Sequence, residues 1–548
     1  MRALGSVVWE RLSGWQSTAL TYCGTRSGTK DAAWTGGALH TAARRRGRAI
    51  LDACDDAERP LVVAMPYGEE FLISLLGAIY AGITVVPVAL PRTGVQHDKF
   101  NRIVDDCNAS AILCVDNARS GIDAAREGRE GVALIASSTL VQDRLLDAPA
   151  PHDSRPAIIQ YTSGSSRFPR GVRVTGENVL ANAAHCKANW GFDQQQSFVN
   201  WLPHFHDMGL MGILYPLVVG AESYQLDPLS TIQRPARWLR AMSDTGATFS
   251  GGPAFGFAHC LQNVRDEDCE GLDLSRWVAA FAGAEPVPAS LLQAFRNRFA
   301  KFGLAPEAVF GCYGLAEYTL LAAGAPGQWP DARPRPPATC AEVEPCRMSA
   351  DMEGNVRIVA PETCVPVLDG ESGEIWLRGA STAAGYVGGP VESAATFEGR
   401  VADAAGDGAW LRTGDLGVID RGALYVTGRL KDVLTVQGRK VAASEVEWLA
   451  AHQDALLNPM AAAAVMLDEM VSGKAVLLIE MRDARTVLAD AGALSDRIRQ
   501  LVLGNWGIEL VDVRFLDRGE LPRTSSGKVQ RRTAKMLYDR GHFDADAP

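Results

Sequence analysis

Two rhythms of apolar and polar positions recur along the first 180 residues. Short unbroken apolar runs, Leu61-Val62-Val63-Ala64, Ala111-Ile112-Leu113-Cys114-Val115 and Gly131-Val132-Ala133-Leu134-Ile135, have the length and branched content of strands buried on both faces. Stretches of helical period lie between them, as over 98–107. This alternation predicts βαβ units and a mostly parallel sheet. The longest apolar run, Phe71 to Leu90, approaches the ~20 residues of a membrane span, but Gly82 and Pro87 interrupt it. It predicts a helix headed by Glu69 and Glu70, then a short strand over Thr84-Val85-Val86-Pro87-Val88, with no membrane crossing.

The pattern changes twice further on. From Gly324 to Pro345 the chain is rich in Pro, Ala and Gly, which predicts an irregular connection. A boundary near Gly428–Asp432 opens a small α+β pattern: a helix from Ser444, a strand at Ala475–Ile479, a helix from Ala484 to Leu503 and a strand near Val511–Leu516. The expected fold class is therefore α/β. A large N-terminal domain, 1–429, holds mostly parallel sheets sandwiched by helices, and a small α+β C-terminal domain fills 430–548. Arg44-Arg45-Arg46 falls in a helical stretch and reads as a solvated face, with a partner-binding patch as the alternative.

Composition narrows the function classes. Of 548 residues, 47% are hydrophobic and 22% charged, which excludes a disordered chain or a small disulfide scaffold. The 54 basic against 64 acidic residues give a net charge of −10, which argues against a general nucleic-acid binder. Eleven cysteines, an odd number with no C-x-x-C pair, read as reduced thiols in a cytoplasmic protein and not as a zinc site. The segment Met1–Arg11 lacks the apolar core of a signal peptide.

The first chemical signal is Tyr161-Thr162-Ser163-Gly164-Ser165-Ser166-Arg167-Phe168-Pro169-Arg170-Gly171, after the strand-like Ala157–Gln160. Hydroxyls and open backbone N–H groups in a turn suit phosphate oxygens. It is neither a GxxxxGK[ST] loop nor a GxGxxG fingerprint, and alone it is equally a surface turn. Six further motifs follow in order: Leu202-Pro203-His204-Phe205-His206-Asp207-Met208-Gly209, Gly283-Ala284-Glu285-Pro286, Tyr313-Gly314-Leu315-Ala316-Glu317, Arg412-Thr413-Gly414-Asp415, Gly428-Arg429-Leu430-Lys431-Asp432 and Pro522-Arg523-Thr524-Ser525-Ser526-Gly527-Lys528. This ordered set, over roughly 157–530, resembles the adenylate-forming superfamily of acyl-CoA synthetases, adenylation domains and luciferases. The strings at 202–209, 313–317 and Gly373-Glu374-Ile375-Trp376 make it most similar to the fatty acyl-AMP ligases.

The resemblance implies a two-step reaction with ATP and Mg²⁺. A fatty or other apolar carboxylate attacks the α-phosphate of ATP, giving acyl-AMP and pyrophosphate. The acyl group then moves to the phosphopantetheine thiol of an acyl carrier protein. Thr162, Ser163, Gly164, Ser165 and Ser166 would hold the β- and γ-phosphates. Glu317 would bind Mg²⁺. Tyr313, with Gly314 and Ala316 beside it, would stack on adenine, against the turn of Gly283, Ala284, Glu285 and Pro286. Asp415 and Arg429 would hold the ribose, His206 and Lys528 would serve the α-phosphate and carboxylate, and Lys431 would be the hinge. An acyl- or aryl-CoA synthetase using free CoA is the nearest alternative, and an inactive nucleotide-binding scaffold a remote one.

Lys528 stands out by composition too. The chain has nine Lys and 45 Arg, so a Lys kept in a Gly-Ser-rich loop suggests a need for a compact point charge. His204 and His206 could suggest a metal pair, but no third ligand accompanies them. Asp207 could orient His206 or head a helix. Three departures from the family pattern matter. Ser166, Arg167 and Arg170 replace the usual Thr, Gly and Lys of the phosphate loop. The 324–345 segment looks short where fatty acyl-AMP ligases carry an insertion disfavouring CoA. Gly251-Gly252-Pro253-Ala254-Phe255 is unusually glycine-rich near the expected acyl pocket. Met208, Met211, Ile213, Leu214, Phe249, Phe255 and Phe257 could line an acyl tunnel or equally pack a core.

Overall fold

The computed structural model describes residues 2–23, 31–92, 94–126, 131–141, 143–151, 155–162, 169–328, 337, 340, 342–402, 408–436, 439–467, 473–482, 488, 490–524 and 527–544. Two large sheets carry the N-terminal part. In one, strands run in the order Ala133–Ala136, Ala111–Cys114, Leu61–Ala64, Val85–Val88, Ile158–Thr162, Arg170–Val174. All neighbours there are parallel except the last pair, a hairpin. In the other, the order is Val309–Gly311, Ala279–Gly283, Phe249–Pro253, Ser197–Asn200, Glu222–Gln225, Thr18–Tyr22, Ala32–Thr35, again parallel except the last pair.

The helices Glu69–Tyr80 and Asp207–Val219 are apolar almost all round because one core, shared by both sheets, encloses them. Leu61, Val85 and Ile158 of the first sheet meet Leu20, Phe198 and Phe281 of the second in that core. The suspect run from Phe71 is thus a 12-residue buried helix and a strand. Among the described residues, no helix is long and apolar enough to cross a membrane.

A third sheet departs from the parallel expectation. Its five strands, in the order Cys346–Arg347, Ala423–Arg429, Leu411–Asp420, Gly373–Leu377, Val356–Val359, are all antiparallel. Tight turns such as Arg421-Gly422 leave no room for crossover helices. After residue 430 come a hairpin, Val433–Val436 with Arg439–Ala442, and a three-stranded sheet of Leu457–Met466, Lys474–Met481 and Glu509–Leu516. Helices Ala443–Ala451, Ala491–Trp506 and Arg531–Asp539 cover it over its own apolar clusters. The fold class is α/β, with a large N-terminal part and a small α+β C-terminal part.

Some boundaries shift. The helix expected over 98–107 starts at Gly94. The one expected from Ala484 is described from Ala491, where the Asp490 carboxylate accepts from Ala493 N at 2.8 Å; residues 484–487 lie outside the described residues. The arginine triplet is not a solvated face. Helix Gly36–Ala53 crosses Glu69–Tyr80 so closely that a Cβ on Gly47 would stand 2.6 Å from the Gly77 carbonyl. Arg46 therefore reaches Ser74 (2.7 Å) and Glu70 (2.9 Å), and Arg44 donates to Leu146 O at 2.7 Å over the Trp9 ring. Only Arg45 is exposed. No disulfide joins any of the eleven cysteines, and seven are buried. Much of the Pro-rich segment (329–336, 338–339 and 341) lies outside the described residues. Its C-terminal flank is pinned by the buried pair of Glu344 with Arg296 at 2.6 Å.

Candidate active site

The motif at 202–209 is the turn from strand Ser197–Asn200 into helix Asp207–Val219. Gly209 is required there, since a Cβ would stand 2.1 Å from the Pro203 carbonyl oxygen. Asp207 opens the helix, and its carboxylate accepts from Met208 N at 2.7 Å, so it heads the helix where the dipole favours an anion. His204 is buried against Phe71 and donates Nε2–H to the Met65 carbonyl at 3.1 Å. That contact makes it a core histidine, its pKa pushed down to about 4 by burial. His206, the residue before the helix, is pushed down to about 3, first by burial and then by the charges of Lys528 and Lys99. Its imidazole is neutral at ordinary pH.

A second wall comes from the ends of the seven-stranded sheet. Strand Ala279–Gly283 runs out into Ala284, which holds a left-handed φ of 69° that an alanine adopts only under strain. Gly283 lets Cys312 pass, with a Cβ position 2.7 Å from its Sγ. Glu285, half-buried beside Pro286, accepts from Phe255 N at 3.2 Å. Tyr313 and Gly314 form a two-residue strand, and Gly314 leaves no space for a Cβ, which would stand 1.7 Å from the Leu320 carbonyl oxygen. Ala316 is buried. Glu317 follows in a short turn that ends at Thr319, whose φ of 68° is a second strained position.

The antiparallel sheet supplies the third wall. Asp415 lies opposite Arg429 in register and pairs with it at 3.3 Å. Tyr313 Oη donates to Asp415 Oδ2 at 2.8 Å. Arg429 in turn is raised further by Asp415. Lys431, two residues on, is exposed, and its pKa is lowered by burial of its stem and by Arg170 and Arg532.

Lys528 enters from the C-terminal part. Its ammonium lies within electrostatic reach of Asp207, Glu285, Asp415, His206 and Arg429. Burial lowers its pKa first, then Arg429, while the three carboxylates oppose. Asp207, Glu285, Glu317 and Asp415 are all pushed up, in each case by burial first. Carboxylates raised and a lysine lowered together mark a partly desolvated site, where charges act more strongly than in open water. The loop that presents Lys528 is braced. Lys528 N donates to Thr524 Oγ1 (3.1 Å), and Thr524 N to the Lys528 carbonyl (2.8 Å). Arg523 ties it to the Gly527 carbonyl at 3.0 Å and to Glu480 at 3.3 Å. Gly527, at φ 84°, rests on the Phe255 ring across from the N-terminal part.

Thr162 ends its strand opposite Arg170, and these two residues form the last described rung of their hairpin. Ser163, Gly164, Ser165 and Ser166 lie outside the described residues. Of the seven candidate tunnel residues, Met211, Ile213, Leu214 and Phe249 pack in the core between the sheets and Phe257 in a second core. Met208 and Phe255 are only partly buried. Sequence reasoning missed Tyr386, whose hydroxyl donates to Glu317 at 2.8 Å, and Arg531, which pairs with Glu447 (2.6 Å) and Asp432 (3.1 Å). Neither has a local signal beyond Gly385-Tyr386 and the arginines after Lys528.

The AMP-binding enzyme family matches this chain over residues 13–387. The chain belongs to the AMP-binding enzymes. This enzyme is 33% identical over 518 residues to a long-chain-fatty-acid–AMP ligase, FadD26, of Mycobacterium marinum, with 88% of each chain covered. It is equally 33% identical, over 518 residues and 88% of each chain, to a putative fatty-acid–CoA ligase, fadD21, of Mycobacterium leprae. A solved structure from studies of fatty acyl-adenylate ligases of E. coli and L. pneumophila superposes with a TM-score of 0.82 at 26% identity. That match covers 99% of this chain and 98% of the other. AMP-binding enzymes use ATP, and the enzyme is a ligase of that family.

Proposed function

We propose that the enzyme activates a fatty or similarly apolar carboxylic acid as its acyl-AMP and passes the acyl group to the phosphopantetheine thiol of an acyl carrier protein. In the first step a carboxylate oxygen bonds to the α-phosphorus of ATP, and pyrophosphate leaves with the electron pair of the broken P–O bond. In the second the thiol sulfur bonds to the acyl carbon, its proton is lost, and AMP leaves. The single observation that supports this reading is the Tyr313–Asp415–Arg429 group, joined at 2.8 and 3.3 Å, with Lys528 within electrostatic reach of Asp415.

In this scheme Lys528 neutralises charge gathering on the carboxylate and α-phosphate. Removing such a preorganised donor costs about 3–4 kcal/mol, or 10²–10³ in rate. Neutral His206 donates or accepts one hydrogen bond there without adding charge. Tyr313 and the Gly283–Pro286 turn face the adenine, and Asp415 and Arg429 hold the ribose. Thr162 with Ser163–Ser166 takes the outer phosphates. Glu317 fits a divalent cation: it is a half-buried hard-oxygen donor with one oxygen bonded to Tyr386. A single carboxylate plus phosphates is the ligand set Mg²⁺ prefers. When bound, Mg²⁺ offsets phosphate charge. Lys431 would be the pivot that withdraws Lys528 for the thiol step. Eleven cysteines without a disulfide suit a cytoplasmic setting. Free CoA as acceptor is the second reading, favoured by the relative named a CoA ligase.

The test is product analysis by mass spectrometry. Enzyme, ATP and Mg²⁺ are incubated with a ladder of fatty and aryl acids, alone, with CoA, and with a phosphopantetheinylated carrier protein. Acyl-AMP and loaded carrier without acyl-CoA are expected. Abundant acyl-CoA would shift the assignment to a CoA ligase, and no adenylate from any acid would sink both readings.

A further inference from the structure

We propose that Tyr386 is a positioning residue that locks the cation-binding carboxylate of Glu317 to the arm of the phosphate loop; this deepens the role given to Glu317 above and rests on it. The segment Ala383–Val387 runs beside strand Arg170–Val174 as an added edge. Arg173 N donates to Gly385 O and Ala384 N to Arg173 O, both at 2.9 Å, and Val387 N donates to Gly171 O at 2.8 Å. The same segment grips Glu317 from its other side, with Ala383 N donating to the Glu317 carbonyl at 2.9 Å. Tyr386 stands where the two meet.

Its side chain joins them a second time. The hydroxyl donates to Glu317 Oε1 at 2.8 Å, and the guanidinium carbon of Arg170 lies 5.2 Å from the ring centroid. Arg170 is itself the rung opposite Thr162, where the phosphate loop leaves the hairpin. Phe397 packs edge-on against the ring, 5.1 Å between centroids, and limits its rotation. Loop arm, arginine, tyrosine and carboxylate therefore form one chain.

The chemistry of the chain is specific. The neutral hydroxyl donates to one carboxylate oxygen of Glu317. It occupies that oxygen and fixes the rotamer that offers the other. A planar guanidinium stacks on an aromatic face better than an ammonium does, which gives a structural reason for Arg170 where the family usually has Lys. Partners of a metal-binding side chain typically change metal affinity by about 10–100-fold when removed.

The experiment reads cation binding and not turnover. Mn²⁺ binding in the presence of non-hydrolysable α,β-methylene-ATP is followed by electron paramagnetic resonance for wild type, Tyr386→Phe, Glu317→Gln and the double variant. Tyr386→Phe keeps the ring over Arg170 and is expected to weaken Mn²⁺ about tenfold. In the Glu317→Gln background the same change is expected to do nothing further. Arg170→Lys tests the chain from the other end, with about a threefold loss expected. Wild-type affinity in Tyr386→Phe, or an equal loss in both backgrounds, overturns the proposal. Wild-type affinity in Glu317→Gln instead overturns the reading of Glu317 on which it rests.

Discussion

Tyr313 Oη donates to Asp415 Oδ2 across 2.8 Å, joining motifs 102 positions apart in the chain. The bond holds the aromatic face and the carboxylate in one fixed relation, and Arg429 closes the group from the far side at 3.3 Å. The ring and carboxylate proposed to hold the nucleotide are thus one preorganised unit.

Tyr313→Phe keeps the ring and removes only this hydrogen bond. Asp415, still half-buried, then loses a partner that favours its charged form. A hydrogen bond to a charged group contributes about 1.5–3 kcal/mol. The KM for ATP should rise by about tenfold or more, with the KM for the carboxylic acid unchanged. Steady-state kinetics of pyrophosphate release checks it, and an unaltered KM for ATP would refute the unit.

Lys528→Ala should cut adenylate formation by about 10²–10³ while transfer from a pre-made acyl-AMP to the thiol proceeds near the wild-type rate. The two half-reactions are measured separately by mass spectrometry. Equal loss in both would mean that Lys528 serves the fold of its loop and not the first step.

Arg531 holds Glu447 with two bonds of 2.6 Å and Asp432 with one of 3.1 Å, binding the segment after Lys528 to the residue after Lys431. Arg531→Met should leave Glu447 buried and unpaired. The expected destabilisation is about 3 kcal/mol, the low end for a buried pair because part of the arginine reaches water. Urea unfolding of the full chain measures it. A loss below about 0.5 kcal/mol, the range of exposed pairs, would show the clamp to be ornamental.

His204 predicts a pH effect with a definite sign. Its pKa in the folded protein is about 4, below the ordinary 6.5. The unfolded chain therefore takes up the proton first, so this histidine contributes stability above pH 6.5 that is lost as pH falls through the interval to about 4. His204→Gln keeps a donor for the Met65 carbonyl but cannot titrate. The stability gap between wild type and His204→Gln should narrow by up to about 1.4 kcal/mol per pH unit on acidification below 6.5. Urea titrations at pH 7, 6 and 5 test it, and a constant gap would contradict the buried neutral histidine.

Much of this was legible in the chain itself. Apolar runs at Leu61–Ala64 and Ala111–Cys114 are strands at those positions because a doubly buried strand needs an unbroken run. The ordered motifs from Thr162 to Lys528 announced the family, since each is a local turn whose glycines and hydroxyls are visible in sequence. Asp207 resolved as a helix-heading residue, and His204 as a core donor, only through their neighbours. The arginine triplet was misread because periodicity shows which face a residue occupies but not what packs on it, and Gly77 with Ser74 lie on another helix. What the sequence alone determined, then, is the set of elements and the local turns, because both follow from nearest-neighbour periodicity and backbone chemistry. What only the tertiary structure decided is pairing at long range: Tyr313 with Asp415, Tyr386 with Glu317, Arg531 with Glu447, and the burial that drives His206 neutral. Those depend on which surfaces meet once water is excluded, and no local pattern records that.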